Sequence, residues 1–321
     1  MVDVLGSIIS KCKKHRRKDL LGIADLSKDD ILLILDTAEA LKKAARNGRM
    51  SKFKPLKGKH IITLFTEPST RTRLSFTIAG RHLGADVIDI SPSTSSIVKG
   101  ETILDTIKNM EAMGADVVVM RHSADGVLAQ LAGKTNVSIV NAGDGKNEHP
   151  TQALLDAVTI REKKGRLEEL NIVIVGDIAY SRVARSNINL LTKFRNNITI
   201  VAPPVLMPKY AKNIFKSITI SRDFDSVLPK ADVVMMLRLQ LERQEKGLIP
   251  SFEDYTKSFG LGKERLKLLK KDAIIMHPGP VNRGIELSDE VVDCGQSVIL
   301  DQTANGVYAR MAVFLVLSNA N

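Results

Sequence analysis

Between residues 27 and 48 the apolar positions Ile31, Leu35, Ala38 and Leu41 recur at a helical period, opened by Ser27-Lys28-Asp29-Asp30 and closed by Asn47-Gly48. This predicts a helix. The pattern then changes to short β-rich runs, "HIITLFT" (60–66), "DVIDI" (86–90), "DVVVMRH" (116–122) and "VSIVNA" (137–142), followed in turn by helical periods over 71–83, 101–113, 125–132 and 151–163. The alternation resumes with "NIVIVGD" (171–177), "ITIVAP" (198–203), "SITIS" (217–221), "DVVMMLR" (232–238) and "AIIMHP" (273–278). These are near-continuously apolar, as strands covered on both faces should be. A last amphipathic helix is predicted at about 303–319, with no strand after it.

This βα rhythm predicts an α/β fold of two doubly wound parallel-sheet domains with helices on both faces. The length supports it, since 321 residues with 44% hydrophobic content suit two domains of about 150 residues each. The charged "REKKGRLEE" that ends the helix at 151–163 suits a boundary, placing the domain change near residue 150. The last helix could pack on either half.

Composition narrows the function classes. No apolar run approaches the roughly 18 residues of a membrane span, and the opening "MVDVLGSIISKCKKHRRK" puts its apolar part before its charges, the reverse of a secretory signal. A cytoplasmic chain without membrane association is expected. Cys12 and Cys294 stand far apart without ligand spacing, so neither a disulfide framework nor a metal site is expected. The net charge of +11 admits nucleic acid, membrane surface or anionic small molecules. With 4% aromatic residues and no Trp, base stacking is disfavoured and anionic small molecules are favoured. The basic run Lys11 to Lys18 reads as a solvated end or a helix face.

The polar clusters fall after strands, where loops of an open parallel sheet line a ligand crevice. In "FTEPSTRTRLSF" (65–76), Ser69 or Thr70 can cap a helix whose first-turn N–H groups and dipole attract an oxyanion, and Arg71 adds a bidentate donor. Arg71 and Arg73 lie about 200° apart around an ideal helix. One can face the anion while the other pairs with Glu67 or a neighbouring acid. No G-x-x-x-x-G-K-[ST] pattern is present, which points away from a nucleotide and toward a smaller phosphate.

His149 and Gln152 share a face at the start of the next helix, with Pro150 at its first position. Arg121 ends an apolar strand and needs an anion or carbonyl partner. Lys99 sits in a Ser-rich loop that reads equally as a lid or a linker. In the second half, Arg182 could face a ligand or a surface acid, Arg238 and Gln240 can point to one side of extended chain, and His277-Pro278-Gly279-Pro280 could be a plain turn. These loops together suggest a cleft shared by the two halves.

Seven blocks, "FTEPSTRTRLSF", "STSSIVKGETILDT", "VVMRHS", "NAGDGKNEHPTQALLDA", "GDIAYSRVARSN", "LRLQLER" and "IIMHPGPVNRGIE", resemble the transcarbamoylase family in order and spacing. The resemblance implies a carbamoyl phosphate-binding domain at 1–150, an aspartate-binding domain at 151–302, and return of the last helix, about 303–321, to the first. It implies transfer of the carbamoyl group from carbamoyl phosphate to the amino group of L-aspartate, as in de novo pyrimidine biosynthesis, without a cofactor. A homotrimer with shared active sites is implied, and whether regulatory chains join it stays open.

Carried over by position, Ser69, Thr70, Arg71 and Thr72 would bind phosphate. Arg121 would bridge phosphate and carbamoyl oxygen, and His149 with Thr72 would polarise that carbonyl. Gln152 and the carbonyls near Gly279 and Pro280 would hold the carbamoyl nitrogen. Arg182, Arg238 and Gln240 would grip aspartate, and Ser95 and Lys99 would enter from the adjacent subunit. Ornithine-using members are the nearest alternative, but they typically carry His-Cys-Leu-Pro at 277–280, and the cations Lys99, Arg182 and Arg238 suit a dicarboxylate. A non-catalytic polyanion- or RNA-binding protein would leave His149, Gln152 and the His277–Pro280 segment unexplained.

Overall fold

The computed structural model describes residues 4–48, 50, 52–91, 96–215, 217–240 and 251–318. The chain forms two compact units, residues 1–158 with 303–321, and residues 159–302.

In the first unit α1 (Val4–Lys14) and α2 (Lys28–Arg46) precede β1 (His60–Phe65), α3 (Thr70–His82), β2 (Asp86–Ile90), α4 (Ile103–Ala112), β3 (Val117–His122), α5 (Val127–Ala132), β4 (Ser138–Asp144) and α6 (Pro150–Lys164). The division between the units falls inside α6. The strands form one parallel sheet in the order β2-β1-β3-β4. β3 and β4 are covered almost throughout, whereas the edge strand β2 mixes acids with aliphatics and leaves Asp86, Ile88 and Asp89 exposed. The core on one face gathers Ile62, Leu64, Ile107, Met110, Val118, Met120, Leu128 and Ile139.

The basic run near the N-terminus is more than a solvated end. Lys11, Lys13 and Lys14 lie in the last turn of α1, while Lys18 Nζ donates to the carbonyls of Ala132 (2.8 Å) and Thr135 (2.6 Å) at the end of α5. Terminal helix carbonyls need donors, and a lysine there also suits the dipole. Arg17 reaches the Asp25 carbonyl (2.8 Å) and Asp30 (3.2 Å), the acid of the Ser27 capping box that opens α2. Leu20 then bridges Val140 beside β4. Cys12 is buried against the Thr37 hydroxyl, and burial pushes its thiol up, away from reactivity.

The second unit contains β5 (Asn171–Val175), α7 (Arg182–Thr192), β6 (Asn197–Val201), α8 (Ala211–Ile214), β7 (Ile218–Ser221), α9 (Phe224–Val227), β8 (Val233–Met236), α10 (Phe252–Phe259), α11 (Lys263–Leu266), β9 (Ile274–Met276) and α12 (Asp289–Val292). Its parallel sheet runs β7-β6-β5-β8-β9 around Val173, Val175, Phe224, Val234, Met236, Ile275 and Val291.

The chain ends in α13 (Ile299–Leu317), which from Thr303 onward belongs to the first unit, where Phe314 packs on Phe76 of α3 with ring centroids 5.8 Å apart. Among the described residues no helix is long and apolar enough to cross a membrane. Both sheets are doubly wound and parallel, the fold class expected from the strand pattern.

Candidate active site

A parallel sheet opens a crevice where the chain leaves neighbouring strands in opposite directions. In the first sheet this point lies between β1 and β3, because the order is β2-β1-β3-β4. Phe65 at the end of β1 pairs in register with Arg121 near the end of β3. The fold therefore brings the 69–73 stretch and Arg121 side by side.

Arg121 is the hub of this cluster. Its side chain is 8% exposed. Nε donates to the Ala142 carbonyl at the end of β4 (2.8 Å), and Nη2 donates to the Thr72 hydroxyl (3.1 Å) and meets His149 Nε2 (3.1 Å). The guanidinium also lies over the Phe65 ring, 5.5 Å from its centroid. A guanidinium only donates, so Nε2 of His149 accepts, and a neutral ring carries its proton on Nδ1. Three elements are thereby fixed around one cation, Thr72 on the first turn of α3, Ala142 on β4 and His149 at the entry to α6.

Ser69 holds the N-cap of α3 with extended backbone (φ −161°, ψ 101°), but its hydroxyl makes no capping bond. The sequence expectation that this residue caps the helix is corrected to that extent. Its side chain takes none of the first-turn N–H groups, which are the anion-attracting end of the helix. Thr72 is buried and Arg71 is exposed. Arg73 turns away to Asp89 on β2 (3.3 Å).

The loop before α6 is shaped by Asp144, which the sequence did not single out. Its buried carboxylate accepts from Gly126 N (2.8 Å), Asn141 Nδ2 (2.8 Å), Asn147 Nδ2 (3.0 Å) and Glu148 N (3.1 Å). His149 is thus delivered from a rigid turn. Gln152, 8% exposed, lies on the first turn of α6, and its amide nitrogen donates to Asp156 (3.0 Å). Lys99 stands exposed at the end of a single 3-10 turn, Ser96–Lys99, and Ser95 lies outside the described residues.

In the second sheet the same reversal lies between β5 and β8. Arg182 opens α7 behind a Ser181 cap (Ala184 N to Ser181 Oγ, 3.1 Å) and is buried to 6% exposure, which excludes a surface ion pair. Arg238 and Gln240, both half-buried, follow β8. Asp177, at the end of β5, joins the two loops by accepting from Tyr180 N (3.0 Å) and Gln240 N (3.2 Å).

The segment after β9 is held from beneath by Glu286. This fully buried carboxylate accepts from Leu239 N (2.9 Å), Asn282 N (2.6 Å) and Asn282 Nδ2 (2.6 Å), and faces His277 Nε2 at 3.6 Å. Gly279 N donates to His277 Nδ1 (2.8 Å), so a neutral His277 ring carries its proton on Nε2, toward Glu286. Gly279 has φ +66° and its bond to Pro280 is cis. The His277–Pro280 segment is therefore a built turn tied to the Arg238–Gln240 strand end. Buried Tyr255 lies in the field of Glu286 and Asp177, and burial together with these charges raises its hydroxyl far above the usual phenol range.

Glu286→Gln places an amide N–H among donors that now meet a carboxylate, leaving at least one buried donor unpaired. A loss of about 1–3 kcal/mol is expected, read by urea unfolding. A raised KM for whatever ligand Arg238 and Gln240 hold should accompany it, and unchanged stability would contradict this account of the turn.

Comparison with known proteins gives the family. The family "Aspartate/ornithine carbamoyltransferase, carbamoyl-P binding domain" matches residues 18–162, and "Aspartate/ornithine carbamoyltransferase, Asp/Orn binding domain" matches residues 168–317. The chain belongs to the aspartate/ornithine carbamoyltransferase family. It is 50% identical over 308 residues to the aspartate carbamoyltransferase catalytic subunit of Desulforapulum autotrophicum, covering 96% of this chain and 98% of that one. The catalytic subunit of M. jannaschii aspartate transcarbamoylase superposes with a TM-score of 0.84 at 35% identity, over 95% of this chain and 99% of that one. Aspartate transcarbamoylase from Trypanosoma cruzi, in complex with carbamoyl phosphate and aspartate, superposes with a TM-score of 0.87 at 30% identity, over 95% and 98% of the two chains.

Proposed function

We infer that this chain transfers the carbamoyl group of carbamoyl phosphate to the amino group of L-aspartate, giving N-carbamoyl-L-aspartate and phosphate. The observation that carries the reading is buried Arg121, which gathers Thr72 and His149 at the reversal point of the first sheet, beside the start of α3. The relatives' names supply the acceptor, aspartate.

The first unit is the carbamoyl phosphate side. The phosphate sits at the first-turn N–H groups of α3 with Ser69, Thr70, Arg71 and Thr72, where helix dipole and guanidinium both favour an anion. Arg121 reaches both phosphate and carbamoyl oxygen. For His149 to polarise the same oxygen its ring must present an N–H there, so substrate arrival at Arg121 and the position of the ring proton are coupled. Gln152 holds the carbamoyl nitrogen.

The second unit is the aspartate side, with Arg182, Arg238 and Gln240 on the dicarboxylate. Those cations disfavour the ammonium of ornithine. The substrate amine is the nucleophile and phosphate is a competent leaving group. The protein's task is orientation and stabilisation of the oxyanion that forms as the amine adds.

The working assembly in this reading is a homotrimer in which Ser95 and Lys99 serve a neighbouring subunit's site, and regulatory chains are a further partner suggested by the relatives' naming as catalytic subunits. A substrate panel tests the chemistry: carbamoyl transfer to aspartate is expected, with ornithine at least about 100-fold poorer, which corresponds to about 2.7 kcal/mol of discrimination. Faster use of ornithine would overturn the choice of acceptor. Sedimentation beside the same assay tests the assembly, since a fully active monomer contradicts shared sites.

A further inference from the structure

The amide of Gln152 can face its ligand with either an oxygen or a nitrogen, and the two ends have opposite hydrogen-bonding character. The structure settles which. Gln152 Nε2 donates to Asp156 Oδ1 (3.0 Å), one helical turn further along α6, and Asp156 is completely buried. An ionised carboxylate accepts only, so the amide nitrogen has to face it and the oxygen has to face away.

A carboxylate so far from water needs compensation. Part of it comes from Arg310 on α13, 3% exposed, whose charge and that of Asp156 act on each other. The Arg310 Nη1 donates to Ser75 Oγ on α3 (2.9 Å) and to the Gly306 carbonyl (3.1 Å), and the guanidinium lies over the Phe76 ring at 4.9 Å. Burial pushes its pKa down to about 10, with the charge of Asp156 opposing the fall, so the side chain is still a cation at neutral pH. Gly306 leaves room for this guanidinium: a Cβ there would come within 2.6 Å of Arg310 Nη1 and 3.2 Å of Leu155. Helices α3, α6 and α13 thus meet around these two buried charges, with Asp156 one turn beyond Gln152 on α6 and Ser75, the partner of Arg310, one turn beyond Thr72 on α3.

We propose that Asp156 and Arg310 are positioning residues that fix the polarity of Gln152, presenting Oε1 as a hydrogen-bond acceptor to the amino group of the carbamoyl moiety. This rests on the reading that Gln152 meets the carbamoyl nitrogen, and adds to it a basis for substrate discrimination. Acetyl phosphate has nearly the shape of carbamoyl phosphate but carries a methyl group where the other has NH2. With the amide oriented by Asp156, a methyl leaves a buried acceptor unpaired. Without that orientation the amide can turn, and the preference for the amino-bearing acyl phosphate falls.

The test compares the KM for carbamoyl phosphate with the inhibition constant of acetyl phosphate in the full-length enzyme. Asp156→Asn is expected to cut the preference for carbamoyl phosphate about tenfold, the loss of one well-made hydrogen bond. The double variant Gln152→Glu with Asp156→Asn reverses donor and acceptor between the two side chains and keeps an oxygen toward the substrate and a negative charge near Arg310. It is expected to recover the preference to within about threefold of wild type, a residual difference of well under one hydrogen bond. A merely structural role for Asp156 predicts no such recovery.

If Asp156→Asn preserves the preference while Gln152→Ala loses it, the positioning role is wrong and the role of Gln152 stands. If Gln152→Ala itself preserves the preference, the underlying reading of Gln152 is wrong. If Asp156→Asn does not fold, the double variant decides alone. Its recovery supports the proposal, and its failure to recover, folded or not, overturns it.

Discussion

Arg121→Ala is expected to lower kcat by on the order of 10²- to 10³-fold, the loss typical of removing a donor at a developing oxyanion. The expectation comes from where its bonds go. The guanidinium spans Ala142, Thr72 and His149 at 2.8, 3.1 and 3.1 Å, so the truncation removes a charge and releases the two side chains it holds in place. Arg121→Lys keeps the charge but replaces a planar fork with a point donor that cannot hold all three partners, and it should recover only a small part of the loss. Steady-state kinetics with both substrates varied would check this. A lysine variant with near wild-type kcat would mean that charge alone matters and that the fork geometry does not.

Arg71→Ala should also lose on the order of 10²-fold or more in turnover and, unlike Arg121→Ala in emphasis, should weaken inhibition by inorganic phosphate in proportion. Arg73→Ala two residues later is the contrast. Arg73 pairs with Asp89 at 3.3 Å, with side chains 47% and 43% exposed, so its removal costs a surface ion pair worth under about 1 kcal/mol and leaves kcat close to wild type. Parallel phosphate-inhibition curves for the two variants separate them. Equal loss in both would show that the start of α3 binds its anion by general positive charge.

The strand pattern was legible because a parallel strand covered on both faces must be apolar along its whole length. Each predicted run from "HIITLFT" to "AIIMHP" coincides with one of the strands β1 to β9 to within a few residues. The edge strand β2 kept its place in the alternation although its burial is poor, since Asp86 and Asp89 face outward there. The start of α3 within the 65–76 stretch, the opening of α6 at Pro150 and the concentration of polar groups after strands could also be read locally.

The basic run Lys11 to Lys18 could not be read in this way. Lys18 serves carbonyls more than a hundred positions away, a relation that no local period encodes. Asp144, Asp177 and Glu286 escaped for a similar reason. A carboxylate in a loop reads as solvated until the backbone donors it collects, from Gly126 to Asp144 or from Leu239 to Glu286, are brought to it by the fold. A weak signal did exist for Asp156 and Arg310, each a lone charge inside an apolar helical stretch, "ALLDAVTI" and "YARMAVFLVL". Such a charge demands a buried partner but does not name it.

The sequence by itself therefore determined the elements, the fold class and the kinds of chemistry available, because these depend on periodicity and residue type over a few turns or strands. Only the tertiary structure decided that β1 lies beside β3 and β5 beside β8, that Arg73 pairs with Asp89 on the edge strand, and which end of Gln152 faces outward. Those outcomes depend on strand order and on buried charges that must find partners far along the chain.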